Sequence, residues 1–156
     1  MPVDEARFRQ LMGHFASGVT VVTTEYKGQL FGLTVSSFCS LSLRPPLVLV
    51  CIDKQVRAHD AIAAAGRYAV NILEKHQEYL SRRFATPEID KFMGIAWRFG
   101  QLGLPILEDT LAAFECRLTD TLPGGDHSIF VGEVQNAEIR EGSPLIYYRR
   151  GYHELK

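Results

Sequence analysis

The sequence has few of the features that mark secreted, membrane or nucleic-acid-binding proteins. Only three of its 156 residues are cysteine, and no CxxC pair occurs, so the pattern of a disulfide scaffold or a zinc site is missing. The longest apolar run, Leu47–Ile52, is too short to cross a bilayer. Charges nearly cancel at 17 basic and 18 acidic residues, which leaves no excess of cations for a phosphate backbone. We therefore expect a cytoplasmic protein that binds neither membrane nor nucleic acid.

Length and composition predict one globular domain over residues 1–156. A chain of this length buries roughly 70% of its unfolded surface, so it needs neither disulfide nor metal to fold. The five histidines include no HxxxH or similar spacing, and we expect no metal site. Cys39 and Cys51 fall in predicted strands, where small buried side chains are expected.

The spacing of apolar residues predicts a mainly β chain with flanking helices. Gly18 and Gly66 are expected to cap the first and second helix, and residues 85–105 read as irregular. Short connections favour antiparallel strands, which usually close into a barrel. The predicted helices are Asp4–Ala16, Arg57–Ala65 and Glu74–Phe84. The predicted strands are Val19–Tyr26, Leu30–Phe38, Leu47–Ile52, Tyr68–Leu73, Ala112–Leu122, His127–Ile139 and Leu145–Tyr148.

Small and hydroxylated residues open the segment GLTVSSFCSLSLRPPLVLVCID, which begins at Gly32. Such residues let a flat ligand approach the backbone and offer hydrogen bonds. Alternation along a strand places Thr34 and Ser36 on one face, with Val35 and Ser37 on the other. A strand with surface serines remains the alternative interpretation.

The segment that follows, DKQVR, starts at Asp53 and leads from a strand end into a helix. Lys54, Arg57 and the amides of the first helical turn are candidates for binding a phosphate. A charged, solvated turn is the alternative.

A glycine turn precedes a lone histidine in GGDH, at Gly124–His127. Gly124 and Gly125 permit positive φ, and Asp126 can orient His127. From spacing alone, a histidine at the start of a strand that is hydrogen-bonded to its own loop is the favoured interpretation.

In their order, these segments resemble the flavin reductase family, the small NAD(P)H:flavin oxidoreductases that supply reduced flavin to two-component monooxygenases. The resemblance extends over nearly the whole chain. It rests on the ordered set GVTVVTT, GLTVSSFCSLSLRPPLVLVCI, Phe84-Ala85, Lys91-Phe92, GGDH and PLIYYRRGYHEL.

The resemblance implies a split β-barrel of the flavin reductase or FMN-binding type that forms a homodimer. It implies FMN or FAD as cofactor, NADH or NADPH as co-substrate, and hydride transfer to flavin N5. The implied partner is a flavin-dependent monooxygenase component that receives the released reduced flavin.

The resemblance also implies the site. His127 would lie beside the nicotinamide as the catalytic residue. Val56 and Ala58 stand where family members often carry hydroxyls, which makes Arg57 the preferred phosphate contact. The implied cofactor-binding residues are Thr34, Val35, Ser36, Ser37, Phe38, Asp53, Lys54, Arg57, Phe84, Lys91, Gly125, Asp126, His127 and Tyr152.

Several motifs are missing. The sequence has no GxGxxG, GxxxxGK[ST] or GxSxG, which argues against a Rossmann unit, a P-loop and a hydrolase elbow. Two other functions stay open. One is a non-catalytic flavin- or haem-binding protein on the same barrel. The other is an oxidase that keeps its flavin and acts on another substrate, as pyridoxine-phosphate oxidases do.

Overall fold

The structure, a computed structural model, describes residues 2–87 and 90–156. Within these residues the chain forms three helices and twelve strands. The helices are α1 (Glu5–Met12), α2 (Arg57–Ala65) and α3 (Glu78–Phe84). The strands are β1 (Ser17–Gly18), β2 (Thr20–Tyr26), β3 (Gln29–Val35), β4 (Phe38–Ser42), β5 (Leu47–Asp53), β6 (Arg67–Ile72), β7 (Trp97–Phe99), β8 (Pro105–Leu107), β9 (Ala112–Gly124), β10 (His127–Ile139), β11 (Leu145–Tyr148) and β12 (Gly151–Glu154).

Seven strands form one antiparallel sheet in the order β3–β2–β6–β9–β10–β5–β4. Its edge strands, β3 and β4, are joined by Ser36 and Ser37 alone. Three Cα–Cα steps span at most about 11 Å, so the sheet curls until its two edges approach each other at this corner. Among the described residues no ladder pairs β3 with β4. The sheet is therefore open, not the closed barrel that antiparallel strands usually form.

The main core lies on one face of this sheet. Along β5, Val48, Val50 and Ile52 are buried while the residues between them are partly exposed, as the two-residue period of a strand requires. Tyr68 and Phe130 are fully buried in the same cluster. The Tyr68 hydroxyl donates a hydrogen bond to the Phe130 carbonyl at 3.1 Å, which satisfies the one polar atom of that ring.

A second core lies beneath α3 and packs Phe84 and Phe92 with Val21, Leu73 and Leu80. It sets the position of α3 against β2 and β3. Lys91 and Phe92, which follow α3 in the chain, lie against β3 at Gly32.

Two helices are shorter than predicted. Helix α1 ends at Met12, and Gly13, rather than Gly18, is its C-cap, with its N–H donating to the Arg9 carbonyl. The start of the third predicted helix is a turn instead, because the Gln77 side-chain carbonyl accepts the Glu74 N–H at 2.8 Å. By contrast, α2 has the predicted bounds and ends at Gly66 with φ +68.

The predicted strand Leu30–Phe38 is two strands, because the chain crosses from one sheet edge to the other at Ser36. Cys39 consequently lies on an edge strand and is exposed, and Cys51 is half-buried on the outer face of β5. The expectation that both are buried is wrong. The region predicted to be irregular contains the β7–β8 hairpin, and β1 and β12 are absent from the prediction. The bounds of β10 and β11 are as predicted.

No helix among the described residues is long and apolar enough to span a membrane.

Candidate functional site

A cavity of about 530 Å³ lies between β3, the start of α2 and the segment after α3. Its volume is within the range of small-molecule sites. Four of the predicted residues line it, namely Thr34, Arg57, Phe84 and Lys91. These residues come from three separate parts of the sequence, so the fold brings them to one wall.

Gly32 allows two aromatic rings to approach β3. A Cβ at this position would lie 2.7 Å from Cε1 of Phe84 and 3.3 Å from Cζ of Phe92. The two rings meet edge to face at 5.1 Å between centroids, an arrangement that aromatic pairs prefer. The small residue expected to admit a ligand therefore admits protein rings, and these rings form the apolar wall of the cavity.

Lys91 connects the segment after α3 to its neighbours. Its Nζ donates hydrogen bonds to the carbonyls of Gly32 and Phe84, each at 3.0 Å. Thr34 makes a similar connection, because its hydroxyl donates to the Ser81 carbonyl at 2.6 Å. The hydroxyl proton of Thr34 is thereby used, and its oxygen can only accept from a ligand in the cavity.

Arg57 places a positive charge at the start of α2. Its guanidinium lies 5.6 Å from the centre of the Phe31 ring, and within the described chain it makes no ion pair. The N-cap of α2 is Val56, which has no side chain able to cap the helix. An arginine and the N-terminal amides of a helix together suit a phosphate.

Asp53 and Lys54 shape the corner beside this helix. Asp53 Oδ1 accepts the Gln55 N–H at 2.8 Å, and the Lys54 N–H donates to the Asp126 carbonyl at 3.0 Å. These bonds hold the end of β5 against the β9–β10 turn. Lys54 does not line the cavity, and its charge is close enough to Asp126 to lower the pKa of that carboxyl slightly.

His127 begins β10 directly after a two-residue hairpin loop. Gly125, the first loop residue, has φ +64, a value that glycine adopts without strain. The Nδ1 atom of His127 lies 2.8 Å from Asp126 Oδ1, and the side chain is 41% exposed. This hydrogen bond, then the charge of His127 and more weakly that of Lys54, lowers the pKa of Asp126 below its usual range.

The protonation of the His127 ring follows from this contact. An ionised carboxylate accepts hydrogen bonds only, so Nδ1 carries the proton. In the neutral ring Nε2 is then an acceptor, and among the described residues it has no hydrogen-bond partner. The Nε2 atom of His127 is thus an accessible hydrogen-bond acceptor, and the contact with Asp126 orients the ring that carries it.

Ser36, Ser37 and Phe38 line a second cavity, of about 560 Å³, together with residues of α1 and the outer face of β5. The Ser37 hydroxyl donates to the Cys51 carbonyl at 2.9 Å. Asp53 lies on the same face of β5 and pairs with His127 across the strands. Thr34 thus lines the first cavity and Ser36 and Ser37 the second, and the outer face of β5 leads from the second cavity to His127.

Val35 and Tyr152 are engaged in packing. Val35 is buried in the main core and its carbonyl accepts the Thr20 hydroxyl at 2.6 Å, so it can reach a ligand through its backbone alone. The Tyr152 hydroxyl lies 2.7 Å from Ser81 Oγ. The Arg82 guanidinium lies 4.9 Å from the centre of the Tyr152 ring.

Sequence reasoning missed Phe31, Gln55 and Phe92, which also line the first cavity. The signal for Phe31 was available, since it directly precedes the glycine of β3. Phe92 follows Lys91, but nothing local shows that its ring packs against β3.

A protein-family model described as a flavin reductase like domain matches residues 12–156. The chain belongs to the flavin reductase family. The reductase component of 4-nitrophenol 4-monooxygenase/4-nitrocatechol 2-monooxygenase from Rhodococcus opacus is 47% identical over 148 residues, which cover 95% of this chain and 80% of that protein. The flavin reductase (NADH) of Kitasatospora aureofaciens is 43% identical over 155 residues, covering 96% of this chain and 81% of that protein.

Solved structures of this family share the fold. An NADH:FAD oxidoreductase of Streptomyces globisporus, in complex with NAD and FAD fragments, matches with a TM-score of 0.95 at 35% identity. The match covers 98% of this chain and 93% of that chain. The predicted family and the mainly β, flavin reductase-like fold are confirmed.

Proposed function

We propose that this protein is an NAD(P)H:flavin oxidoreductase that reduces FMN or FAD and supplies the reduced flavin to a partner monooxygenase. The observation that carries the proposal is the cavity of about 530 Å³, with aromatic rings at one side and, at the other, an arginine that makes no ion pair with any described residue. Family membership supports the same activity. The names of similar proteins include NADH-dependent flavin reductases and reductase components of monooxygenases.

The residues present fit a flavin. Phe84 and Phe92 offer an apolar wall to a flat ring, and the backbone of Thr34–Ser37 offers hydrogen bonds to its edge. Arg57 and the first amides of α2 bind the phosphate. When bound, the flavin supplies a position, N5, that accepts a hydride.

His127 orients the nicotinamide. Its Nε2 accepts a hydrogen bond from the carboxamide N–H, while Asp126 holds the ring through Nδ1. Hydride transfer requires the two reacting rings to be about 3–3.5 Å apart, so holding the carboxamide sets the geometry of the step. Asp53, Lys54 and Gly125 act by shaping the corner that carries this histidine.

Turnover of added flavin tests the activity. The protein is mixed with NADH or NADPH and excess FMN or FAD, and nucleotide oxidation is followed by absorbance. We expect many turnovers of flavin per protein molecule. Stoichiometric reduction would instead indicate an oxidase that keeps its flavin, and no reduction would indicate a binding protein.

His127→Ala tests the nicotinamide contact. Flavin affinity should stay unchanged, whereas single-turnover reduction of flavin by NADH should slow by about 10- to 100-fold. His127→Asn should recover part of the rate if the residue acts by hydrogen bonding and none if it donates a proton. His76→Ala, at an exposed histidine elsewhere, is the matched control. An unaltered rate in His127→Ala would contradict the assignment.

Haem is a poorer fit to the first cavity than flavin. Among the described residues that line it, none is His, Cys, Met or Tyr, the residues that supply axial ligands to haem. The alternative of a haem-binding module therefore has no ligand set at this wall.

The fold and assembly proposed here are a split β-barrel and a homodimer. The curled sheet whose edges meet at Ser36 supports the first. Helix α1 supports the second, because it buries none of its residues although Phe8, Leu11 and Met12 are about half exposed. Phe8 and Met12 border the second cavity, and a second copy of the chain would cover an apolar patch that a monomer rarely leaves open. A cytoplasmic location stays a prediction.

Light scattering tests the homodimer. The wild-type protein should have twice the mass of one chain, and Phe8→Glu should shift it toward the monomer. Glu5→Gln, on the same helix, should leave the mass unchanged. A monomer that retains full activity at micromolar concentration would refute this assembly.

A further inference from the structure

A buried hydrogen bond joins α2 to the start of β10. His59 Nε2 lies 2.8 Å from Ser128 Oγ, and the side chain of His59 is only 13% exposed. Ser128 is 6% exposed. His59 is two residues after Arg57, and Ser128 directly follows His127. The bond therefore joins a residue close to Arg57, the proposed phosphate contact, to the residue that follows His127, the proposed nicotinamide contact.

We propose that His59 is a positioning residue that holds the phosphate-binding end of α2 in place relative to His127. The inference rests on the proposed function, since it takes Arg57 and His127 as the two ends of the site. The hydrogen bond between His59 and Ser128 links α2 to β10 mechanically. His59 itself contacts neither flavin nor nicotinamide.

Three contacts join the turn and the start of β10 to the end of β5 and to α2. On the outer side of the corner, His127 pairs with Asp53, and the Lys54 N–H donates to the Asp126 carbonyl. These backbone bonds hold the strand end and the turn. They precede α2, however, and do not reach it, whereas the buried side chains of Ala58, Ala61 and Ile62 pack the helix against the sheet. Ser128 faces inward, as strand alternation requires, and its hydrogen bond to His59 links the first turn of α2 directly to β10.

Packing sets the angle of the His59 ring. Its centroid lies 5.1 Å from that of Phe130, two residues further along β10. Asp60 Oδ1 lies 2.9 Å from Nδ1, which places the ring proton on Nδ1 and makes Nε2 the acceptor of the Ser128 hydroxyl proton. The ring that carries Nε2 is thus oriented by two contacts that are independent of Ser128.

The Ser–His–Asp sequence of contacts does not make a hydrolase. Ser128 points into the core and is 6% exposed, so a substrate cannot reach its oxygen. Asp60 is 92% exposed, unlike the buried carboxylate of a catalytic triad. The hydrogen bond therefore takes no part in the chemical step. It affects the reaction through the position of α2.

The test compares two flavins in Ser128→Ala. With FMN, whose phosphate attaches it to α2, single-turnover reduction by NADH should slow on the order of tenfold or more, because a misplacement of about 1 Å can cost up to roughly 100-fold. With riboflavin, which has no phosphate, the rate should change less than about twofold, since the position of α2 no longer matters. A role in stability alone would slow both reactions equally, and that result would overturn the proposal.

A second pair of variants separates position from stability. His59→Phe keeps a ring against Phe130 but leaves the buried Ser128 hydroxyl unpaired, so the midpoint of urea unfolding should fall. His59→Phe/Ser128→Ala removes both polar groups and should regain stability in urea unfolding while the FMN rate remains low. Recovery of the rate together with stability would refute a positioning role. His59→Gln, which can still bond Ser128, should recover part of the rate.

His127→Ala is measured beside these variants. A normal rate in His127→Ala refutes the proposed site as a whole. A slow His127→Ala with a normal FMN rate in Ser128→Ala refutes the role of His59 alone.

Discussion

Replacing Arg57 by alanine tests the phosphate end of the site most directly. The guanidinium lies at the cavity wall over Phe31, and within the described chain it has no acidic partner. Removal therefore leaves no buried carboxylate unpaired. Any large effect on flavin binding must come from the ligand and not from a disturbed protein network.

The expected magnitude follows from these contacts. A hydrogen bond to a charged group contributes about 1.5–3 kcal/mol, which corresponds to roughly ten- to a hundredfold in Kd. Arg57 is exposed, so solvent screening favours the lower end of this range. The lost contact with Phe31 is worth about 0.5–1 kcal/mol at an exposed site, so the midpoint of urea unfolding should change little.

The assay compares two ligands and includes two control variants. Kd is measured by fluorescence titration with FMN and with riboflavin, and Arg57→Ala should weaken FMN alone. Arg57→Lys keeps the charge but not the planar fork, so it should lose only part of the affinity. Lys54→Ala removes the same charge from the neighbouring turn, at a residue that does not line the cavity, and should leave the Kd within about threefold.

The outcome for riboflavin decides the interpretation. Equal weakening of FMN and riboflavin would show that Arg57 acts through folding or packing. An FMN affinity as strongly reduced in Lys54→Ala as in Arg57→Ala would show that only net charge matters. Either result would refute the assignment of Arg57 as the phosphate contact.

Two further predictions follow from packing and burial. Gly32→Ala should destabilise the protein by about 1–3 kcal/mol in urea unfolding and weaken flavin binding, because the new Cβ displaces the Phe84 ring; Gly18→Ala, with nothing within 4 Å of its Cβ position, should be neutral. Burial and the charge of Glu115 raise the pKa of the Cys116 thiol to about 12. This thiol should therefore stay protonated and resist a thiol reagent from pH 7 to 9 until the protein unfolds. The exposed Cys39 should react in the native protein. Rapid labelling of native Cys116, identified by peptide mapping, would contradict its burial.

Local sequence patterns predicted the regular elements well where one residue decides the boundary. Helix α2 ends at Gly66, whose left-handed φ of +68 is a conformation that glycine adopts readily. The start of β10 follows a glycine turn that the sequence makes explicit. In both cases the signal lies within a few residues of the boundary.

Boundaries set by the whole sheet were not predictable in this way. The residues from Leu30 to Phe38 read as one strand, yet the chain crosses between sheet edges at Ser36 because β3 and β4 have different partners. The apolar face of α1 was predicted correctly as a pattern, but the structure leaves it uncovered. The apolar pattern of the helix indicates that this face requires burial, but it does not indicate which element or partner covers the face.

The contacts of the candidate site depend on residues far apart in the chain. Lys91 was predicted as a cofactor contact, and its ammonium donates to the carbonyl of Gly32, 59 positions away. His59 and Ser128 are 69 positions apart, and neither stands in a recognisable motif. Such pairs become visible only when the sheet has placed their strands and helices together.

Arg57 differs from these residues because its local setting already indicated an anion. It occupies the first position of α2, where the helix dipole disfavours a cation by about 0.3–1 kcal/mol, and the N-cap before it is Val56, which makes no capping hydrogen bond. The start of this helix therefore departs from two rules of helix stability at once. A single phosphate removes both penalties, since it accepts from the uncapped amides and neutralises the guanidinium. Departures from local rules concentrate at functional sites, and here one ligand group accounts for both.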